Sequence, residues 1–439
     1  MRQVLYVLPT GGGKTFLFAW MAAQARDHGT PTLILVHRRE LLKQASDTLT
    51  SLNVPHGLIA PNHPRTQHCI QIASVQTLAR REMPPCQFLI IDEAHHTPAG
   101  SWKRILNLLD KNTFVLGVTA TPCRLSGRGL AKFFQVMIQG PNYSELIEGG
   151  FLAPCNTWSP SRFEMHGLRK RGGDWDRGEL AELMENAKAV TGDAVEHYTR
   201  LCPGVPAVVF CVSVVHAELV AHAFREVGYR ASAVSGKTPD KDRDRAIQGL
   251  ALGETQLLVA CDLVSEGLDV PAATCAIGLR PTDSLSLYIQ QVGRILRPAT
   301  GKTAISLDHV GNAIRHGLPT RDRIWSLEKG INKQEANPEP ARQCPECYFV
   351  HDLEPYCPAC GYEYPKPERA ESPSNVDGTL ELLTEDEMDQ LLEGASTLKQ
   401  YQALARRMPG DKTPKQRSNW AYGAWKWGAK PPWAKGVTA

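Results

Sequence analysis

Short, β-branched apolar runs alternate along this chain with longer stretches in which apolar residues recur every three or four positions. Over the first 150 residues the runs are VLYVL (4–8), TLILV (32–36), CIQIASV (69–75), FLIID (88–92) and FVLGVTA (114–120). Runs with so little polar interruption suit strands buried on both faces of a parallel sheet, and the amphipathic stretches between them predict covering helices. The alternation breaks around residues 148–154, and residues 180–201 carry a helical pattern. It then resumes with AVVFCVS, the amphipathic AELVAHAFREVG, RASAVSG, QLLVACD, TCAIGL and TAISLDH, ending near residue 318. The pattern therefore predicts an α/β fold with two doubly wound domains in tandem.

The 439 residues exceed one small domain, and four segments are expected: 1–152, 153–330, 331–372 and 373–439. No run approaches the roughly 18 apolar residues of a membrane span, and the first residues lack the order of a signal peptide, which places the chain in the cytoplasm. Of the 12 cysteines, eight are scattered in apolar surroundings, as expected of reduced, buried thiols. The net charge of +3 is too small to identify a partner, but its distribution is uneven. Residues 377–393 hold seven acids and no base, whereas 399–435 hold nine Lys or Arg against Asp411 alone.

The first strand runs into PTGGGKT: Pro9, Thr10, Gly11, Gly12, Gly13, Lys14 and Thr15. Glycines let successive backbone N–H groups converge on phosphate oxygens at a helix N-terminus, Lys14 can reach the β- and γ-phosphates of ATP, and Thr15 can hold Mg²⁺. Leu8 stands where the general pattern begins with Gly. DEAH, from Asp92 through Glu93 to His95, closes the strand FLIID 78 residues after Lys14, the place for a metal-holding Asp92 and a water-polarising Glu93. TAT, with Thr119 and Thr121, ends another strand, where hydroxyls could sense the γ-phosphate. In the second domain SEGLDVP (265–271) follows a strand, and YIQQVGRILRP (288–298) is expected on a helix that projects Arg294 and Arg297 from one face. Cations from a second domain can stabilise charge on the γ-phosphate, with Gln290 positioning water or phosphate. Spacing gives no reason to expect metal binding by His37, His95 or His96.

PTGGGKT, LILVHRRELLKQ, SVQTLAR, DEAH, TAT, VVFCVS, SEGLDVP and QQVGRILRP stand in the order of the motifs of superfamily 2 helicases, and the chain resembles that family over residues 4–318. LDHVGNAIRHGLP and the cysteines behind it look most like the RadD-type bacterial and phage DNA-repair helicases. The resemblance implies that Lys14 and Thr15 bind phosphate and Mg²⁺ while Asp92 and Glu93 hold Mg²⁺ and activate water. It further implies that Thr119 and Thr121 couple the sites, Gly267 and Asp269 touch nucleotide or strand, and Gln290, Arg294 and Arg297 complete the ATP site. Arg38, Gln76, Thr77 and Ser213 fall in motifs that contact the nucleic-acid backbone. The family's upstream adenine-reading Gln has no counterpart before Pro9, which leaves three accounts: laxer adenine recognition, a start upstream of Met1, or a decayed copy.

Two C-x₂-C knuckles, Cys344/Cys347 and Cys357/Cys360, are separated by nine residues and can close a tetrahedral Zn²⁺ site, with Gly361 permitting the turn beneath the metal. Trp420, Tyr422, Trp425, Trp427 and Trp433 interleave with Lys412, Lys415, Arg417, Lys426, Lys430 and Lys435. Such a tail either stacks and tracks single-stranded nucleic acid or forms a small solvated helical core. The expected activity is a DNA-stimulated ATPase that moves along or unwinds single-stranded or branched DNA, RNA remaining open, in repair, recombination or replication. The alternatives are a duplex translocase that separates no strands and a non-catalytic binding module.

Overall fold

The computed structural model describes residues 2–97, 100–123, 128–159, 165, 167–261, 270–328, 330–331, 341–365, 400–401 and 421. The chain separates into two units, Met1–Lys366 and Pro367–Ala439. The expectations for the acidic and basic tail fall almost wholly outside the described residues.

Continuous apolar runs become the central strands of two parallel sheets. In the first, β1 (Gln3–Val7), β2 (Thr32–Val36), β3 (Gly57–Ile59), β4 (Ile70–Ser74), β5 (Phe88–Asp92), β6 (Phe114–Thr119) and β7 (Val136–Gln139) line up in the order β3-β4-β2-β5-β6-β1-β7. Helices α1 (Lys14–Asp27) and α2 (Arg39–Ser51), with Phe18, Leu42 and Leu49, cover one face. Trp102 and Ile105 of α4 (Gly100–Leu106), together with Val75 and Leu78 of the short α3 (Val75–Leu78), cover the other. Helix α5 (Tyr143–Glu148) starts with a capping box in which Asn142 accepts from Glu145 N–H and the Glu145 carboxylate accepts in return.

The second sheet runs β12-β13-β11-β14-β15-β8, again all parallel. Its strands are β8 (Cys155–Trp158), β11 (Ala207–Cys211), β12 (Ala231–Val234), β13 (Leu257–Cys261), β14 (Cys275–Gly278) and β15 (Ala304–Asp308). A two-residue hairpin, β9 (Lys170–Arg171) with β10 (Asp174–Trp175), leads into α6 (Arg177–Asn186) and α7 (Lys188–Leu201). The remaining helices are α8 (Val214–Glu226), α9 (Asp240–Leu252), α10 (Leu285–Gly293) and α11 (Asn312–His316). Small antiparallel pairs follow: β16 (Trp325–Ser326) with β17 (Gly330–Ile331), and β18 (Arg342–Gln343) with β19 (Val350–His351).

Two expectations are corrected at the level of elements. The helix expected over 180–201 is two helices, because Ala187 leaves helical geometry at φ −82°, ψ 60°. Strands β3, β7 and β8 were not expected: each is an edge strand of three or four residues, and such short, partly covered segments carry little periodic signal. One hydrophobic cluster ignores the domain division. It joins Leu8, Tyr143, Leu146 and Leu152 to Phe210, Tyr288, Ile289, Val292 and Leu296 of the second sheet and its helices.

At the start of α8, His216 is buried and neither ring nitrogen has a hydrogen-bond partner among the described residues. Burial pushes its pKa down from 6.5 to about 4, against the pull of Glu185. The unfolded chain therefore binds a proton that the folded chain refuses. This contribution to stability is intact above pH 6.5 and is lost as pH falls toward 4. Between pH 7 and 5 His216 should cost about 2 kcal/mol of unfolding free energy. Urea unfolding of the wild type and of His216→Leu at both pH values checks this, and an unchanged acid slope in the variant would assign the sensitivity elsewhere.

Candidate active site

The P-loop begins where Leu8 N–H donates to the Thr119 carbonyl at 3.0 Å, tying the ends of β1 and β6 together. Gly12 N–H turns back to the Pro9 carbonyl (3.0 Å), and Gly11 and Gly13 take left-handed φ values of 84° and 89°. At Gly13 nothing lies within 4 Å of the place a Cβ would occupy, so conformation rather than space calls for glycine. At Gly12 a Cβ would come to 3.1 Å from Leu8 and Leu146. The departure at Leu8 is thus an apolar seat under the loop. Lys14 opens α1 and donates from Nζ to the carbonyls of Leu8 (3.4 Å) and Pro9 (3.3 Å), with Thr15 next to it in the first turn.

Strand β5 delivers Asp92, and Glu93 takes a left-handed φ of 49° while its N–H donates to Asp92 Oδ1 at 2.9 Å. A 3₁₀ turn, Ala94–His96, then brings His95 Nδ1 to 3.3 Å from Glu93 Oε2 and 3.1 Å from Thr119 Oγ1. The Thr119 hydroxyl proton goes to the Thr121 carbonyl (3.0 Å) while the oxygen accepts from Thr121 N–H (3.2 Å). With its one proton committed to the Thr121 carbonyl, Thr119 accepts from His95, a bond that takes the imidazole proton on Nδ1, and the Glu93 carboxylate lies beside that ring nitrogen. Burial raises Asp92 to about 7, reinforced by Glu93 and opposed by Lys14, the Glu93 N–H and His37. Burial also lowers Lys14, opposed by Glu93 and Asp92 and reinforced by Arg294. Buried charges of both signs are held together here at a desolvation cost that counter-charges would relieve.

The second wall is α10. Thr121 Oγ1 and Ser286 Oγ lie 2.5 Å apart across the two domains. At Gly293 a Cβ would fall 2.5 Å from Thr10 Cβ, and at Gly11 one would stand 3.8 Å from the Gly293 carbonyl. Thr10 Oγ1 and Gln290 Nε2 are buried without a hydrogen-bond partner among the described residues. Backbone loop, ammonium, guanidinium and two unmatched polar atoms on one side, with paired carboxylates beside them, form a donor set that fits a nucleotide triphosphate and its divalent ion.

Arg297 does not share a helical face with Arg294. Helix α10 ends at Gly293, Arg294 is its C-cap, and Ile295 and Leu296 close tight turns onto Val292 and Gly293. Pro298 disfavours helical geometry at the residue before it, and the pKa of Lys302, lowered first by burial, is lowered further by the charge of Arg297. Gly267 and Asp269 lie outside the described residues. Arg38 is the N-cap of α2, and Gln76 Nε2 donates to the His37 carbonyl (2.9 Å). Thr77 N–H caps onto Ser74, and Ser213 caps α8 through His216 N–H while bonding Glu185. A second link between the domains was not foreseen: Arg243 on α9 reaches Glu40 of α2 at 2.9 Å and Asp240 at 2.7 Å, and Arg39 also pairs with Asp240. Only the pairing reveals these residues, since singly they read as a solvated basic and acidic face.

The four knuckle thiols all lie within 4.8 Å of one another, with Cys344 to Cys360 at 3.6 Å and Cys347 to Cys357 at 3.7 Å. Tetrahedral Zn–S bonds of about 2.3 Å require sulfur separations of about 3.8 Å, so the set fits zinc. Gly361 has the expected left-handed φ (76°), and Tyr348 takes the same turn at φ 61° in the first knuckle. The unit is joined to the second sheet at its β8 edge. Phe349 bridges Trp158, Ser159 N–H donates to the Tyr348 carbonyl (3.0 Å), and Val350 enters the shared core.

Family models for "Type III restriction enzyme, res subunit" and "Helicase conserved C-terminal domain" match residues 1–124 and 193–299. A 51.5 kDa protein of Lactococcus phage (isolate 7-9) is 31% identical over 385 residues, covering 87% of this chain and 82% of the phage protein. "Putative ATP-dependent helicase IRC3" of Saccharomyces cerevisiae is 31% identical over 320 residues, covering 67% of this chain and 46% of the yeast protein. This chain thus spans most of the phage relative and about half of the yeast one. Among solved structures, the DUF1998 helicase MrfA bound to DNA aligns with a TM-score of 0.51 at 16% identity, over 72% of this chain and 45% of that one. The fold and the site define two tandem RecA-like domains around a P-loop. The chain belongs to the superfamily 2 helicases, which hydrolyse ATP.

Because the Gly293 backbone meets Thr10 with no space for a methyl group, Gly293→Ala should hold α10 off the P-loop. Steady-state ATP hydrolysis should fall at least about tenfold with far-UV circular dichroism unchanged, as expected of a small misplacement in a catalytic constellation. Wild-type turnover would show that this contact is not part of the working cleft.

Proposed function

We propose that this chain is a DNA-stimulated ATPase that translocates along or unwinds single-stranded or branched DNA in repair, recombination or replication. The observation that carries the reading is the seating of Gly293 on Thr10, with the charge of Arg294, from the same end of α10, felt at Lys14. Bound ATP with Mg²⁺ supplies the phosphoanhydride to be cleaved and the divalent charge that polarises it. Lys14 and the backbone N–H groups of residues 11–15 bind phosphate oxygens, while Thr15 and Asp92 hold the ion. Glu93 orients and deprotonates water, with His95 beside its carboxylate. Gln290 and Arg294, with Arg297 beyond the end of the helix, stabilise charge on the transferred phosphoryl group. Thr119 and Thr121 transmit its state, and Arg38, Gln76, Thr77 and Ser213 line the strand's path.

DNA is favoured over RNA by the restriction-enzyme family model and by the DNA-bound helicase with the same fold. No helix among the described residues is long and apolar enough to cross a membrane. Hydrolysis measured alone and with single-stranded DNA, duplex DNA or RNA should rise most with single-stranded DNA and vanish in Glu93→Gln. Stimulation by duplex alone, without displacement of a labelled strand, would replace unwinding by duplex translocation.

Cys344, Cys347, Cys357 and Cys360 hold one zinc ion as a staple on the edge of the second sheet. Elemental analysis should find one zinc per chain, and Cys347→Ser should lower it to less than about a tenth while exposing Trp158 to solvent quenchers. Iron, or no metal, in the wild type would overturn this assignment.

A further inference from the structure

Thr121 and Ser286 are both fully or almost fully buried, and their hydroxyl oxygens are 2.5 Å apart although 165 residues separate them in sequence. One belongs to the first domain at the end of β6, the other to the first turn of α10 in the second. Thr121 stands at the end of a run of polar groups that starts at the DEAH box. Glu93 Oε2 meets His95 Nδ1 at 3.3 Å, His95 meets Thr119 Oγ1 at 3.1 Å, and Thr119 is doubly bonded to the Thr121 backbone at 3.0 and 3.2 Å. Ser286 stands at the start of a rigid lever, one helical turn before Gln290 and two before Arg294. Neither domain needs this bond in order to fold, because its two oxygens belong to different domains. It exists only when α10 is seated, and parting the domains returns both hydroxyls to water.

We infer that Ser286 is the positioning residue through which the second domain registers the DEAH box: its bond to Thr121 sets the seat of α10, and so the placement of Gln290 and Arg294 against the nucleotide. The inference rests on the ATP-site reading given above. Ser286 itself touches no reacting atom. A neutral hydrogen bond between desolvated hydroxyls biases the seated state by about five- to tenfold, and that factor should be felt in turnover rather than in nucleotide binding, which is dominated by the P-loop.

The test compares the full chain with Ser286→Ala, Thr121→Val, Thr121→Ser and the Ser286→Ala/Thr121→Val double variant, measuring kcat and KM for ATP with oligo(dT) and thermal unfolding of each. Ser286→Ala and Thr121→Val should each lower kcat about five- to tenfold with KM changed less than about twofold. Thr121→Ser, which keeps the hydroxyl, should hold kcat at least about threefold above that of Thr121→Val, and the double variant should be no slower than the slower single one. Wild-type kcat in Ser286→Ala overturns the inference, as do losses that multiply in the double variant. A loss in Thr121→Ser equal to that in Thr121→Val also overturns it, since packing rather than the hydroxyl would then be responsible. Glu93→Gln run in parallel separates the two levels: continued hydrolysis there would refute the ATP-site reading itself, whereas its loss beside a fully active Ser286→Ala refutes only the role of Ser286.

Discussion

The structure turns on a contact made by the absence of a side chain. The P-loop is built from three consecutive glycines and cannot supply its own walls, so its shape is imposed by neighbours. Leu8, Leu146 and Leu152 press on it from the first domain, and the backbone of Gly293 presses from the second. The same apolar residues belong to a cluster that continues through Tyr288, Ile289 and Val292 into the core of the second domain. Packing and the geometry of the candidate site are therefore one constraint: a shift of α10 that would open a void in this cluster also moves Arg294 relative to Lys14.

The parts of this arrangement that were legible in the sequence are those written in consecutive residues. Continuous apolar runs identified the strands buried on both faces, and PTGGGKT, DEAH and TAT each compress a strand end and its functional side chains into a few positions. What escaped was written in pairs of distant positions or at edges. Ser286 looks like any serine near a helix start, and its meaning arises only opposite Thr121. Arg243 is a residue of a charged helix until Glu40 is brought beside it. The misplacement of Arg297 had a visible warning in Pro298, because a residue before proline resists helical geometry and the face argument needed one more turn.

The cysteine unit illustrates the same division. Its ligand spacing and Gly361 were readable, whereas Tyr348 in an equally left-handed turn was not, since a tyrosine there carries strain that only the surrounding bonds can hold in place. Those bonds also explain why the unit sits where it does. Strand β8 is a short edge of the second sheet, and Phe349 and Tyr348 occupy backbone groups that would otherwise present an open edge. The cysteine unit and the second domain thus complete each other: Val350 of the one enters the core of the other, which in turn has an edge to cover.

The two links across the cleft obey different physics. The one at α10 is dry and uncharged, a glycine backbone against a threonine and a hydroxyl against a hydroxyl, and ionic strength leaves it alone. The one between α2 and α9 is ionic, with Arg243 largely buried but Glu40, Asp240 and Arg39 reaching solvent. Salt screens such pairs, and a polyanion would compete with the carboxylates for the same guanidinium groups. Arg39, which follows the N-cap Arg38 at the start of α2, belongs to the ionic link, so added salt loosens that link while the dry one yields only to repacking.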